Sequence, residues 1–153
     1  MKVGIALIVL AAATVPVAAR SVTNGDASAQ HKCEFICDGD TLKFNGTTFR
    51  LWGIDAPESS QLCRGDDSLQ YRCGAKAAND LDAFIAGRPV NCLPLSLDRY
   101  GRTVATCSVG GADLGDWLVR NSLALDWPQY SKRKYDHAQR EAEQAGRGIW
   151  AGS

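Results

Sequence analysis

At 153 residues, with 17 Lys and Arg against 17 Asp and Glu, the chain has room for one domain and carries no formal net charge. That balance excludes a protein that coats polyanions through overall charge, so any anion binding must rest on a local patch. Two histidines, His31 and His137, are too few for a His-dependent hydrolase or a His-ligated zinc enzyme.

In chain order, Met1 and Lys2 precede an apolar run from Val3 to Ala19 that is broken by Pro16 and closes on "VPVAAR". This is the pattern of a secretory signal peptide, residues 1–19, cleaved before Arg20; a membrane-spanning helix wants about 20 apolar residues. With Lys2 removed, 16 basic side chains face 17 acidic ones, a net of −1. An exported protein is expected, periplasmic or secreted, with no stable membrane association after cleavage. "RSVTNGDASAQH" (20–31) reads as a flexible leader, and the domain occupies 32–153.

"KCEFIC" (32–37) alternates like a strand, "DGDT" turns, and "TLKF" (41–44) resumes extended structure. "NG" (45–46) is a hairpin signal, and "TTFRLWGI" (47–54) is a third strand. A polar loop with cysteines near its ends runs through 59–73. "GAKAANDLDAFIAG" (74–87) is a helix with Ala77, Leu81, Phe84 and Ile85 on one face and Gly87 at its stop. "RPVNCLPL" (88–95) and "RTVATCSV" (102–109) form a strand pair around "SLDRYG". Asp113 caps a helix over 113–122. A third helix is expected over 131–146, capped by Ser131, with Tyr135, Ala138, Ala142 and Ala145 inside. Three strands, a helix, two strands and two helices describe an α+β fold. It fits a five-stranded Greek-key β-barrel of the oligonucleotide-binding type with three α-helices.

The chemistry-bearing residues cluster around the first strands. Asp38 and Asp40 alternate along extended chain, so one of them can face Asp55 across neighbouring strands. Two carboxylates with backbone carbonyls and water suit a hard cation such as Ca²⁺. Glu58, held beyond Pro57, is a candidate general base. Arg50 and Arg102 are permanently charged planar donors suited to phosphate oxygens, and Arg99 adds charge beside Arg102. Each piece alone also describes a turn or a solvated face. Together they describe metal-assisted phosphodiester cleavage. Lys132, Arg133 and Lys134 at the start of the last helix add a local basic patch, although cations are unfavourable at a helix N-terminus.

The ordered set "DGDTLKFNGTTFRLWGIDAPE", "DRYGR", "LVRNSLA" and "AGRGIW" resembles the staphylococcal nuclease (thermonuclease) family, in an exported, bacterial-type member. The resemblance covers about residues 33–150. It implies an oligonucleotide-binding barrel and Ca²⁺-dependent hydrolysis of DNA and RNA, with little base specificity and 3′-phosphate products. Matched by motif, Asp40 and Asp55 resemble the carboxylate metal ligands, and Ala56 stands where a backbone carbonyl joins them. Glu58 resembles the general base, and Arg50 and Arg102 the two phosphate-binding arginines. Tyr100 resembles a tyrosine that contacts a terminal phosphate, and Arg99 stands where Lys is usual. The family's later tyrosine has no clean match in "LDWPQY", where Trp127 or Tyr130 offers a stacking surface tolerant of any base.

Six cysteines in an exported chain suggest disulfides rather than zinc. Cys63 and Cys73 bracket one loop and are expected to pair. Cys92 and Cys107 lie on the strands joined through "DRYGR" and are expected to pair across them. Four residues of extended strand span about 13 Å, so Cys33 and Cys37 bridge only if the chain bends, and their state stays open. The expected protein is a monomer acting on DNA and RNA. The alternative is a barrel module that binds nucleic acid but cleaves weakly. Such a module is expected to have lost some of these acids or arginines, and here all are present.

Overall fold

A computed structural model describes residues 30–32 and 35–151. The expected signal peptide, most of the expected leader, and Cys33 lie outside the described residues. The first half contains β1 (Gln30–Lys32), β2 (Phe35–Asp38), β3 (Thr41–Phe44), β4 (Thr47–Leu51), β5 (Ile54–Asp55), β6 (Cys63–Arg64), β7 (Gln70–Tyr71) and α1 (Cys73–Ile85). The second contains β8 (Pro89–Leu97), β9 (Thr103–Val109), β10 (Ala112–Asp113), α2 (Leu114–Arg120), β11 (Leu125–Asp126), α3 (Pro128–Ser131), α4 (Asp136–Gln144) and a 3₁₀ turn at Gly148–Trp150. Among the described residues, no helix is long and apolar enough to cross a membrane.

The main sheet runs β1-β8-β9-β4-β3-β2, with β10 also paired to β9. Antiparallel pairing joins β2 to β3, β3 to β4 and β8 to β9, whereas β4 and β9 run parallel. A flat sheet would hold its two outermost strands about 24 Å apart. Yet β1 ends at Lys32 and β2 begins at Phe35, so these outermost strands stand at most about 11 Å apart along the chain. The sheet is therefore strongly curled. Inside the curl, Leu42, Phe44, Phe49 and Leu51 pack against Leu81 and Ile85 of α1 and against Leu114 and Leu118 of α2. Phe44 and Phe49 stack with ring centroids 4.5 Å apart.

The expected strands and helices occur at nearly the expected places, with instructive differences. β1 pairs with β8, and its Gln30 and His31 fall inside the stretch expected to be a leader. The strand expected over 47–54 stops at Leu51. Trp52 and Gly53 turn, and Ile54–Asp55 pairs separately with β11. Asp113 caps α2 as expected, its carboxylate accepting the Asp116 N–H at 3.0 Å. The helix expected over 131–146 starts only at Asp136, and a separate short helix ends at Ser131. Pro128 opens α3, and Lys132 and Arg133 adopt left-handed backbone (φ 55° and 67°), which ends it before α4 starts at Asp136. Ser131 therefore caps nothing; it is buried, and its hydroxyl accepts the Arg133 N–H at 2.9 Å. Tyr135, Ala138 and Ala142 face inward as expected, but Ala145 lies past the end of α4 and is exposed.

Both expected disulfides are formed. Cys63–Cys73 ties the start of β6 to the first residue of α1, and Cys92–Cys107 links residues directly opposite each other on β8 and β9. Cys37 forms no bridge with a described cysteine. Each closed loop removes about 3 kcal/mol of chain entropy from the unfolded state. Replacing Cys92 and Cys107 together by Ser should thus lower the unfolding free energy by about 3 kcal/mol, read from denaturant titration against the oxidised wild type.

Candidate functional site

Alternation along β4 buries Phe49 and Leu51 and turns Arg50 to the opposite face. There its guanidinium meets the carboxylate of Asp40, Nη2 to Oδ2 at 2.9 Å. Asp40 is only 5% exposed, and its other oxygen accepts the Thr41 hydroxyl at 2.9 Å. Burial pushes the Asp40 carboxyl above the ordinary range; Arg50 and Thr41 oppose that shift, while the charges of Asp38 and Glu58 add to it. The expected acids Asp38, Asp40 and Glu58 thus sit within electrostatic reach of one another. Asp38 is engaged by the Ser59 hydroxyl, which also donates to the Cys37 carbonyl at 3.0 Å.

Close backbone approaches hold these acids in place. A methyl group added to Gly39 would lie 2.9 Å from Ala77 Cβ and 3.0 Å from Ala56 Cβ, so the Asp38–Asp40 turn is pressed between α1 and the chain that follows Asp55. A methyl on Gly74 would fall 1.7 Å from the Glu58 carbonyl oxygen, so only glycine fits there. The Glu58 carbonyl accepts the Gln61 N–H at 2.8 Å, and the Gln61 carbonyl accepts the Gly74 N–H at 3.5 Å. The loop bearing Glu58 is thereby seated on the first turn of α1, beside the Cys63–Cys73 bridge.

On the other side of Arg50 opens a cleft of about 480 Å³. Its lining includes Arg50, Arg99, Tyr100, Arg102, Trp127 and Tyr130, all six named from the sequence. Asp40, Asp55, Ala56 and Glu58 are not in that lining. Asp40 is joined to the cleft through Arg50, and Asp55 is exposed on β5 opposite Leu125. The Gly53 carbonyl accepts the Trp127 N–H at 2.9 Å, which brings Trp127 and Tyr130 to the rim. Their rings meet edge-on, centroids 4.6 Å apart. Tyr100 is 68% exposed, with the Arg99 and Arg102 guanidiniums 4.8 and 5.5 Å from its ring centre.

One organising residue was not singled out from the sequence: Asp98. Its Oδ1 accepts the N–H groups of Tyr100 and Arg102, both at 2.9 Å, and its Oδ2 accepts Arg102 Nε at 2.7 Å. Asp at the first position of a turn with Gly three residues on was the available signal. Desolvation raises the Asp98 carboxyl, but the hydrogen bonds from Arg102 and Tyr100 outweigh it and hold it below its usual range.

The fold and this cleft define a class: a small α+β protein whose aromatic and arginine side chains suit a phosphorylated, base-bearing ligand. The model of the family described as "Staphylococcal nuclease homologue" matches residues 48–152, and the chain belongs to that family. A protein of Rhizobium meliloti (strain 1021) named "Succinoglycan biosynthesis protein ExoI" is 41% identical over 117 residues, covering 75% of this chain and 61% of that protein. An "Uncharacterized endonuclease" of Haemophilus influenzae is 33% identical over 122 residues, 76% of this chain and 63% of its own. The "Probable endonuclease LCL3" of Komagataella phaffii is 31% identical over 120 residues, 71% of this chain and 51% of its own. The chain thus spans between half and two-thirds of these relatives.

Two outcomes follow from this geometry. A carboxyl held below its unfolded pKa adds stability above that pKa and loses it as pH falls through the folded value. The stability gap between wild type and Asp98→Asn should therefore be full above about pH 5 and should narrow progressively as pH falls below about 4, read from thermal melts from neutral pH downward. Gly74→Ala should cost about 1–3 kcal/mol of stability through the clash with the Glu58 carbonyl, read from denaturant titration.

Proposed function

We propose that this protein is a Ca²⁺-dependent phosphodiesterase that hydrolyses DNA and RNA with little base specificity and leaves 3′-phosphate ends. The observation that carries this reading is Arg50, which contacts the buried Asp40 and also lines the cleft with Arg102, Tyr100, Trp127 and Tyr130. The names of the Haemophilus and Komagataella relatives support the same class of activity. We read the curled sheet as the five-stranded oligonucleotide-binding barrel with additional short strands. The two disulfides support an exported protein, periplasmic or secreted.

Calcium fits the donor set. Asp40 and Asp55 would hold it through carboxylate oxygens and Ala56 through its carbonyl, all hard oxygen donors. Asp40 lies buried beside the charges of Asp38 and Glu58, with Arg50 as its cationic contact, so the locality favours a further cation. Among the described residues no three Asp, Glu, His or Cys side chains form a metal-holding group, so carbonyls and water would have to complete the shell. Bound there, calcium supplies positive charge against the phosphate oxygens.

The chain's own residues divide the remaining work. Arg50 and Arg102 hold the phosphate oxygens and offset charge that grows as water adds to phosphorus. Asp98 fixes the Arg102 side chain in advance of binding. The Glu58 carboxylate accepts a proton from the attacking water. The P–O5′ bond breaks, the leaving 5′-oxygen takes a proton from solvent water, Glu58 returns its proton to solvent, and the 3′ side keeps the phosphate. Tyr100 contacts a terminal phosphate, and Trp127 and Tyr130 stack on bases without reading them.

The test is cleavage of single-stranded DNA, duplex DNA and RNA by oxidised protein, with Ca²⁺ and with a chelator. Chelator-sensitive cleavage is expected, with a sharp loss in Glu58→Gln and a loss of at least about 100-fold in Arg102→Ala. A folded, Ca²⁺-supplied protein that cleaves none of the three would overturn the reading.

A further inference from the structure

The Lys132–Arg133 turn is built against the ordinary interests of the fold. Left-handed backbone is disfavoured for a residue with a side chain, and here two cationic residues adopt it in succession (φ 55° and 67°). They also lie just ahead of α4, where the helix dipole disfavours positive charge. Strain of this kind persists only where the surroundings enforce it. The surroundings do so here: the Lys132 N–H donates to the Pro128 carbonyl at 3.1 Å, and the Arg133 N–H to the Ser131 hydroxyl at 2.9 Å.

The turn is fixed to the cleft. Gly53 lines the cleft, and a methyl on it would lie 2.9 Å from both Cα and Cβ of the buried Ser131. Gly53 is also left-handed (φ 74°), so glycine is required there twice over. Lys132 follows Ser131 directly, and α3 places it just behind Trp127 and Tyr130. The basic turn therefore adjoins the aromatic rim, and neither Lys132 nor Arg133 is among the residues that line the cleft.

The three cations of the run differ in their commitments. Lys134 is spent within the fold: its Nζ lies 2.5 Å from Asp113 Oδ2 and 5.0 Å from the Tyr135 ring centre. Lys132 donates to the Gln129 carbonyl at 3.2 Å and has no carboxylate partner among the described residues. Arg133 has a side chain 73% exposed and reaches Asp136 at 3.6 Å, but Arg140 holds the same oxygen at 3.1 Å. In a chain with no net charge, this leaves a local excess of positive charge beside the cleft.

We propose that Lys132 and Arg133 form a second phosphate-binding site, which grips a single nucleic-acid strand beyond the bases stacked on Trp127 and Tyr130. The proposal rests on the nucleic-acid reading of the cleft and adds to it a preference for strands several nucleotides long. One end of such a strand is held at Arg50 and Arg102, the other at the basic turn, and a dinucleotide reaches only the first.

The experiment is equilibrium binding of a fluorescein-labelled 12-nucleotide single-stranded DNA and of a labelled dinucleotide, at several salt concentrations. A chelator is present, so that no cleavage occurs. Two double variants separate charge from backbone: Lys132→Gly with Arg133→Gly relieves the left-handed strain, and Lys132→Gln with Arg133→Gln retains it. Both should bind the 12-mer roughly 5- to 30-fold more weakly than wild type. Both should lower the magnitude of its log–log salt slope by about 1.4, the value for two single-strand phosphate contacts. Dinucleotide binding should be unchanged, and the Gly variant should melt no lower than the Gln variant. Unchanged 12-mer binding, an equal loss for both ligands, or a loss in only one variant would each overturn the site. A wild type that binds the 12-mer but never cleaves with Ca²⁺ would refute the nuclease reading and leave this one standing.

Discussion

The site depends on a parallel strand pairing. β4 lies beside β9 with Phe49 opposite Thr103, Arg50 opposite Val104 and Leu51 opposite Ala105. It is the one parallel pairing among the described strands. Parallel strands need a crossover, supplied here by α1 and β8. The register brings Arg50, from the meander that carries the acids, next to the strand that starts just after Arg102. The Trp52 N–H continues the ladder to the Ala105 carbonyl at 2.9 Å, which aims the following turn toward β11 and α3. A shift of this register by one residue would turn Arg50 into the core and Leu51 out of it.

Electrostatics then gives Arg50 two roles. Removing one partner of a buried ion pair is costly because it strands the other charge. Arg50 opposes the rise that burial imposes on the Asp40 carboxyl and also presents its guanidinium to the cleft. The acids on one side and the arginines on the other are therefore coupled through a single side chain. Arg102 has a separate support in Asp98, so the two guanidiniums are positioned by independent carboxylates. Changes at one are expected to leave the geometry of the other intact.

The parts of this arrangement that were legible in the sequence are those governed by local chemistry. Asp113 was readable as a cap because its hydrogen bond closes three residues later, at Asp116. The two disulfides were readable because each pair brackets one loop or one hairpin. Arg50, Arg99, Tyr100, Arg102, Trp127 and Tyr130 were named from motifs, and the fold gathers them at one cleft. What local rules could not supply was conformation imposed from a distance. No propensity assigns left-handed backbone to Lys132 and Arg133, so the last helix was expected from Ser131 rather than from Asp136. The pairing of β5 with β11 involves two residues on each side, far apart in the chain, and carries no periodic signal. Asp98 was not singled out because two of its three bonds are those of any Asp turn; the third, to Arg102 Nε, is what gives it a role.

The two outermost strands of the curled sheet are successive pieces of one segment, three and four residues long. Unpaired sheet edges are templates for intermolecular pairing, and short edges are a recognised defence against it. Here the same stretch of chain covers the flanks of β8 and β3 at once. The seven-residue and nine-residue strands in the interior, β9 and β8, are thus shielded from neighbouring molecules. A chain lacking residues 30–38 would present both flanks together, and its characteristic failure would be self-association rather than simple loss of structure.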